Sequence, residues 1–175
     1  NNTIVGNTIS NSTSGGPNWG GGIYLYRSDN NTVDFNEISN TTEVGIWQYY
    51  SSYNTIADNV ISQNPDIPMQ YSSGVHIGDF SYHNNVLNND ISKSLVGVYV
   101  SQIVGDNDIV GNTIANLTSY MCGINVWGPN NRVMGNTITK MGYVGIQLNS
   151  ISSDGQYGTP DACANNLVQG NIILD

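Results

Sequence analysis

Apolar and polar residues alternate along most of the chain in a pattern that returns seven times. The pattern is Asn-x-(Ile/Val)-x-x-Asn-x-Ile, and its four fixed positions are filled in every copy. The second Asn of each copy follows the previous one by 29, 23, 30, 23, 24 and 35 residues, which gives a unit of about 23 residues with insertions. A period in this range predicts a solenoid. The copies span residues 2–9, 31–38, 54–61, 84–91, 107–114, 131–138 and 166–173.

A second motif, a Gly followed by an apolar, a free and a mostly apolar residue, stands between successive copies. Its glycines are Gly22, Gly45, Gly74, Gly97, Gly123 and Gly145. The apolar residues have a period of two and are β-branched, Asn or Gly marks the bends, and no window sustains a period of 3.6. We therefore expect an all-β, right-handed parallel β-helix of about seven coils with three short strands each. At about 4.8 Å per coil the rod is roughly 34 Å long.

The two Asn columns of the repeat use fourteen of the 27 Asn residues in the chain. At a tight bend Asn tolerates the left-handed region better than most residues, so we expect the columns to form the bends. An inward amide can also donate to one neighbouring coil and accept from the other, which predicts stacked amide ladders.

One inward position departs from the repeat. Gln48 occupies a column that is otherwise apolar, so we expect it to be hydrogen-bonded inside the coil or displaced by a bulge. The other members of that column are Leu25, Ile77, Val100, Val126 and Leu148.

The outer face of the Gly-anchored strand has an unusual composition. Six of its twelve outward positions are aromatic, whereas 21 outward positions of the other two strands contain none. Aromatic rings beside amides suit a sugar chain, because rings pack on pyranose C–H groups and amides bind hydroxyls. The predicted substrate-binding residues are Tyr24, Tyr26, Trp47, Tyr49, Asn125, Trp127 and Gln147.

Insertions border this strand on both sides, at residues 10–21, 62–73, 115–122 and 150–165. We expect them to wall the face into a groove in which an oligosaccharide lies lengthwise across coils two to five. The alternative is that the inserted loops pack on the rings as a second small core. A double substitution of Trp47 and Trp127 by Ala separates the two, because it abolishes sugar binding in a groove and unfolds a core.

Four residues near this face are candidates for proton transfer. His76 and Tyr99 could act as base and acid of a β-elimination lyase. A glycosidase would use a carboxylate pair such as Asp66 and Asp79, or Glu43 from the adjacent coil. The alternative for His76 is an exposed residue that only contributes to binding.

The charge of the chain limits the classes of molecule that it could bind. The net charge is −9, with only Arg27, Lys93, Arg132 and Lys140 positive, which argues against nucleic acid. We expect no bound cofactor or metal, although a polyanionic sugar would need a cation such as Ca²⁺ to compensate its charge. Two free thiols are the default for the two cysteines, with a disulfide as the alternative in an exported protein.

The repeats and Gly anchors resemble those of the pectate-lyase-like superfamily of parallel β-helix proteins, which includes carbohydrate-binding proteins and sugar hydrolases. The Asn-rich, Lys-poor style is also similar to cell-surface proteins of methanogenic archaea, among them disaggregatase. The resemblance implies an extracellular or cell-surface polysaccharide-binding or polysaccharide-degrading domain, either hydrolase or lyase. The alternative is a structural surface module in an envelope layer, adhesin or filament. We expect residues 1–175 to form one β-helix domain without a membrane span, a piece of a longer protein whose caps lie elsewhere.

Overall fold

The computed structural model describes residues 1–12, 20–63, 72–102, 104–118, 121–149 and 163–175. Its described residues contain twenty short strands and no helix, and therefore no helix that could cross a membrane. Coil by coil, the strands are β1 (Thr3–Val5), β2 (Thr8–Ser10) and β3 (Gly21–Tyr26); β4 (Thr32–Asp34), β5 (Glu37–Ser39) and β6 (Val44–Tyr49); β7 (Thr55–Ala57), β8 (Val60–Ser62) and β9 (Ser73–Ile77); β10 (Asn85–Leu87), β11 (Asp90–Ser92) and β12 (Val96–Val100); β13 (Asp108–Val110), β14 (Thr113–Ala115) and β15 (Cys122–Val126); β16 (Arg132–Met134), β17 (Thr137–Thr139) and β18 (Val144–Leu148); β19 (Leu167–Gln169) and β20 (Ile172–Leu174).

The strands form three parallel sheets that run along the rod. Sheet 1 has the order β1-β4-β7-β10-β13-β16-β19, sheet 2 β2-β5-β8-β11-β14-β17-β20, and sheet 3 β3-β6-β9-β12-β15-β18. Equivalent repeat positions pair with one another, as in Ile9 with Ile38 and Ile38 with Ile61. The structure therefore confirms the predicted all-β solenoid with three strands per coil.

The core lies inside the coils and consists of the central residues of the sheet 1 and sheet 2 strands in the inner coils, together with the inward apolar residues of sheet 3. Val33, Ile56 and Val86 in sheet 1 and Ile61 and Ile91 in sheet 2 are fully buried. Burial of each such side chain contributes about 1.5–3 kcal/mol. The polar neighbours on either side point outwards, which explains the period of two in the sequence.

Hydrogen bonds link both Asn columns from coil to coil, but the predicted amide ladder is unbroken only in the second column. In the first column, Nδ2 of Asn54 donates to Gln48 and Nδ2 of Asn131 donates to backbone oxygens, so only their backbone N–H groups bond the next Asn. In the second column the Nδ2 of Asn59, Asn89 and Asn112 donates to the Oδ1 of the next Asn at 2.9–3.0 Å, and the backbone N–H donates to the same oxygen. These residues are completely buried. Because each oxygen accepts twice, one amide side chain satisfies polar groups of two coils.

The expectation that the ladder Asn residues themselves adopt the left-handed conformation is wrong. That conformation belongs to the residue immediately before each of them, for example Asp58 (φ 50°) before Asn59 and Asn88 (φ 53°) before Asn89. The bend therefore lies one residue earlier, and the ladder Asn keeps a negative φ that turns its amide inwards.

The Gly anchors are required by packing and not by φ. A Cβ on Gly97 would lie 2.5 Å from Cγ2 of Ile114 and 2.6 Å from the carbonyl oxygen of Gly123. Gly22, Gly45, Gly74 and Gly123 show the same two kinds of contact, and a Cβ on Gly145 would lie 2.7 Å from Cγ2 of Ile173. A Cβ at these positions would therefore force sheet 3 away from sheet 2.

Gln48 lies inside the coil, as one of the two predicted alternatives required. It pairs in register between Leu25 and Ile77, without a bulge, and is completely buried. Its Oε1 accepts a hydrogen bond from Nδ2 of Asn54 at 2.9 Å. Its Nε2 has no hydrogen-bond partner among the described residues.

Candidate functional site

The outward residues of sheet 3 form two columns in register along the rod. Strand pairing places Trp47 beside Tyr24 and His76, and Tyr99 beside His76 and Asn125. The structure thus brings the predicted binding residues to one face. The first column is Tyr24, Trp47, His76, Tyr99, Asn125 and Gln147, and the second is Tyr26, Tyr49, Gly78, Ser101, Trp127 and Asn149.

The aromatic rings of neighbouring coils pack against each other. Tyr24 and Trp47 stack with centroids 4.6 Å apart and planes at 23°, and Tyr26 and Tyr49 stack at 6.2 Å. Trp47 lies 5.7 Å from the ring of His76 at 33°. Because the coil spacing places the rings face to face, these faces are used within the protein, and mainly ring edges line the outer surface.

A cavity of about 420 Å³ opens in the middle of this face. Its volume falls in the range of small-ligand sites. Rings form one part of the wall, and a carboxyl, a hydroxyl and an imidazole form another. The lining residues are Tyr24, Trp47, Tyr49, His76, Gly78, Asp79 and Ser101.

Gly78 explains why the cavity lies at this coil. A Cβ there would lie 2.9 Å from Nε1 of Trp47 and 2.9 Å from Cδ2 of Tyr49, so both side chains lean over the glycine. Ser101 follows Gly78 in the same column, and its side chain is also small. Two small residues between Tyr49 and Trp127 leave a notch in a column of large side chains.

Three polar side chains meet in the cavity. Nε2 of His76 lies 3.0 Å from Oγ of Ser101. Burial raises the pKa of Asp79, while a hydrogen bond from the Ser101 side chain lowers it. Since the hydroxyl has one proton, we assign it to the bond with Asp79, and Nε2–H of His76 then donates to the Ser101 oxygen.

His76 is a buried residue, 9% exposed, and not the exposed side chain that one alternative expected. Burial lowers its pKa to about 4, because the imidazolium form loses its hydration. The ring is therefore neutral at physiological pH. Of the groups lining the cavity, Asp79 is the better proton donor, because burial favours its protonated form.

The other predicted residues surround the cavity or lie outside it. Tyr99 contacts His76 edge to face at 4.8 Å. Towards the C-terminal end, Gln147 Nε2 donates to Asn149 Oδ1, and Asn149 Nδ2 donates to Asn125 Oδ1 at 2.6 Å, so these amides satisfy one another. Trp127, beyond the notch, has a buried Nε1–H with no hydrogen-bond partner among the described residues.

Asp66, the predicted partner of Asp79 in catalysis, lies outside the described residues, as does most of the inserted segments. Glu43 lies immediately before β6, whereas Asp79 pairs with Tyr50 just after that strand. The two backbones are thus separated by roughly 20 Å along the strand. A glycosidase pair is about 5–9.5 Å apart, so Glu43 is not the partner of Asp79.

Sequence reasoning missed two features of this region. Gly78 and Ser101 occupy outward positions of sheet 3 but are not among the predicted site residues, although small residues in a column of rings are the signal for a notch. The second is an aromatic corner beyond sheet 3, where Tyr50 and Phe80 stack at 4.8 Å and Arg27 lies 5.6 Å from the Tyr50 ring. All three have φ near +50° and occupy bends, which the strand-based count left out.

Metal ligands are not grouped in the part of the chain that the structure describes, where no three His, Cys, Asp or Glu side chains could hold an ion together. Both cysteines, Cys122 and Cys163, are free thiols.

Comparison with known proteins supports the fold. The family model for the right handed beta helix region matches residues 1–114. No curated protein matches the chain in sequence. Among solved structures, the chain resembles a variant of the catalytic domain of a GH87 alpha-1,3-glucanase in complex with nigerose, with a TM-score of 0.71 and 20% sequence identity. The match covers 98% of this chain and 32% of the glucanase chain, so this chain spans about a third of that protein's length.

Proposed function

The chain belongs to the family of right-handed β-helix regions, and we propose that it binds an oligosaccharide in the cavity of sheet 3. The observation that carries the proposal is this aromatic-walled cavity of about 420 Å³, with Asp79 and Ser101 in its lining. A carboxyl and a hydroxyl bind sugar hydroxyls, while Trp47 and Tyr49 offer apolar surface to the C–H groups of a pyranose. A glucanase crystallised with nigerose has the same fold, which supports a saccharide ligand.

The stacked rings modify the expected pose of the ligand. Because Tyr24 and Trp47 occupy each other's faces, a sugar lying flat along the column would meet ring edges. The notch over Gly78 and Ser101 instead accepts a sugar ring edge-on. The remaining sugar units of the oligosaccharide would extend along the β-helix towards Tyr99 and Trp127.

In biological terms we propose an exported or cell-surface protein that binds or degrades polysaccharide, of which this chain is one part. The acidic, Lys-poor composition supports export. Hydrolysis is a second candidate function, favoured by the raised pKa of Asp79 inside the cavity. It needs a second carboxylate, for which Asp66 is the candidate. The structural surface module remains the alternative to both.

Cavity filling tests the binding site. An oligosaccharide array identifies ligands of the wild-type chain, and calorimetry then measures their affinity for three variants. Ser101→Phe fills the notch and should abolish binding, Ser101→Ala should weaken it about tenfold by removing one hydroxyl, and Thr113→Phe, an exposed position on sheet 2, should leave it unchanged. A folded Ser101→Phe variant with wild-type affinity would place the ligand elsewhere. An array without any ligand would favour the structural module.

Product analysis tests hydrolysis. If the chain cleaves the saccharide that it binds, Asp79→Asn should abolish the release of new reducing ends while the affinity changes little. Cleavage that survives this substitution contradicts the role of Asp79 as proton donor. Asp66→Asn, measured in parallel, tests the second carboxylate.

A further inference from the structure

A second, smaller cavity lies on the other side of the Tyr24–Trp47 stack. Its volume is about 120 Å³. Since a single water molecule needs about 10–15 Å³ by this measure, the cavity has room for several waters, which suits one substituted sugar ring better than a bare ion. The lining residues are Gly21, Gly22, Ile23, Tyr24, Glu43, Val44 and Trp47.

Glu43 is the ionisable residue of this cavity. It is only 7% exposed, and its Oε2 is buried with no hydrogen-bond partner among the described residues. Its backbone is fixed from both sides, because its N–H donates to the oxygen of Gly20 at 3.0 Å and its carbonyl accepts from the N–H of Ser73 at 3.0 Å. The backbone of Glu43 is therefore held in place, while one carboxylate oxygen of its side chain has no partner among the described residues.

The fold does not require an acid at this position. In the register of sheet 3, Glu43 is equivalent to Gly20 in the coil before it, to Ser72 in the next coil and to Leu95 after that. A glycine, a hydroxyl and an aliphatic side chain serve the neighbouring coils equally well. A buried acid that the repeat does not need, and that costs free energy to bury, points to a ligand.

No cation of the chain compensates the charge of Glu43. All four Lys and Arg residues lie in the described part, where the one ion pair joins Arg132 and Asp108. A hydroxyl could satisfy the free oxygen, whereas a cation would satisfy it and also compensate the charge of a carboxylate.

We propose that the cavity formed by Glu43, Tyr24 and Trp47 is a subsite for a sugar unit that carries a protonated amine. The inference rests on the proposed function, because the Tyr24–Trp47 stack is shared with the larger cavity, so adjacent units of one saccharide would occupy both. The ammonium group donates to the free Oε2 of Glu43.

The test compares two trimers of the same sugar, one of glucosamine with free amines and one of N-acetylglucosamine, at a pH at which the amines are protonated. We expect the wild-type chain to bind the amino trimer about tenfold more tightly or better. Glu43→Gln should remove this preference by lowering the affinity for the amino trimer alone. Glu37→Gln, the same change at an exposed position of the same coil, should leave it intact.

Glu43→Ser, which carries the residue of the following coil, serves as a second variant should the amide disturb folding. The proposed subsite is wrong if the wild-type chain binds both trimers equally. It is also wrong if the preference for the amino trimer persists in folded Glu43 variants. If neutral saccharides bind and Ser101→Phe abolishes their binding, the larger site stands even so. Binding of glucosamine that depends on Glu43, without any neutral ligand, would instead support the subsite and refute the larger cavity as the main site.

Discussion

The buried His76 makes the stability of the fold depend on pH in a calculable way. Its pKa is about 4 in the folded chain and 6.5 when the ring is solvated. Between these values the unfolded chain binds a proton that the folded chain does not, so the free energy of unfolding decreases as the pH falls from 6.5 towards 4. At 1.36 kcal/mol per pKa unit, the shift corresponds to a loss of about 3 kcal/mol.

His76→Gln isolates this effect. The amide keeps a polar group near Ser101 but does not titrate. We expect the variant to differ from the wild type by a constant amount above pH 6.5, and the wild type to lose about 3 kcal/mol relative to it as the pH falls to about 4. Urea unfolding followed by circular dichroism at a series of pH values measures both curves.

His83→Gln is the matched control, because His83 is an exposed residue of the same coil. This variant should follow the wild-type pH dependence in the same interval. A difference between wild type and His76→Gln that does not change with pH would refute the reasoning, since it would show that His76 is solvated in the folded chain.

Three further predictions concern the β-helical scaffold, namely the Asn ladder, the Gly anchors and the buried Gln48. Asn112→Ala in the middle of the ladder should lower the free energy of unfolding by about 1–3 kcal/mol, because it removes the acceptor of two hydrogen bonds from Asn89. Urea unfolding measures this change, and it should show a smaller decrease for Asn7→Ala at the exposed end of the ladder. Gly97→Ala should destabilise by about 3 kcal/mol through overpacking against the core, more than a Cβ in the open space at Gly135, as thermal unfolding of both variants would show. Gln48→Leu should destabilise by about 1 kcal/mol in the same measurement, because loss of the acceptor of the buried Asn54 Nδ2 outweighs removal of the unpaired Nε2.

The β-helical scaffold was predictable from the sequence because each coil repeats the same kinds of residue at equivalent positions. An inward Ile, a ladder Asn and an anchor Gly make the same contacts in successive coils, so the repeats in the sequence are enough to align the columns. The error about the bend had a physical cause. An inward amide and a left-handed φ are both typical of Asn, and the sequence does not show that the repeat assigns them to successive residues such as Asn88 and Asn89.

The site was only partly predictable, because it depends on features that are not repeated. The outward assignment of Trp47 and His76 follows from the period of two, and the structure agrees. The direction in which Trp47 leans depends on the single glycine at position 78, whose effect appears only when side chains are placed in three dimensions. The uncompensated charge of Glu43 likewise depends on what surrounds it.

In-register stacking of side chains explains the position of a binding site on this surface. The site should occur at a coil whose residue differs in size or charge from the equivalent residues of the neighbouring coils. Side chains of one column repeat at the coil spacing of about 4.8 Å, which suits face-to-face packing of rings and leaves little room between them. Tyr24 and Trp47 show this packing at 4.6 Å. A pocket therefore requires a coil whose side chain is missing, and Gly78 supplies one next to the small Ser101. The same reasoning makes Glu43 informative, because an acid in a column of Gly, Ser and Leu also interrupts a repeat. Replacing Glu43 by the serine of the following coil should therefore remove ligand binding at that position while preserving the fold, whereas substitutions of the ladder and anchor residues should destabilise the fold.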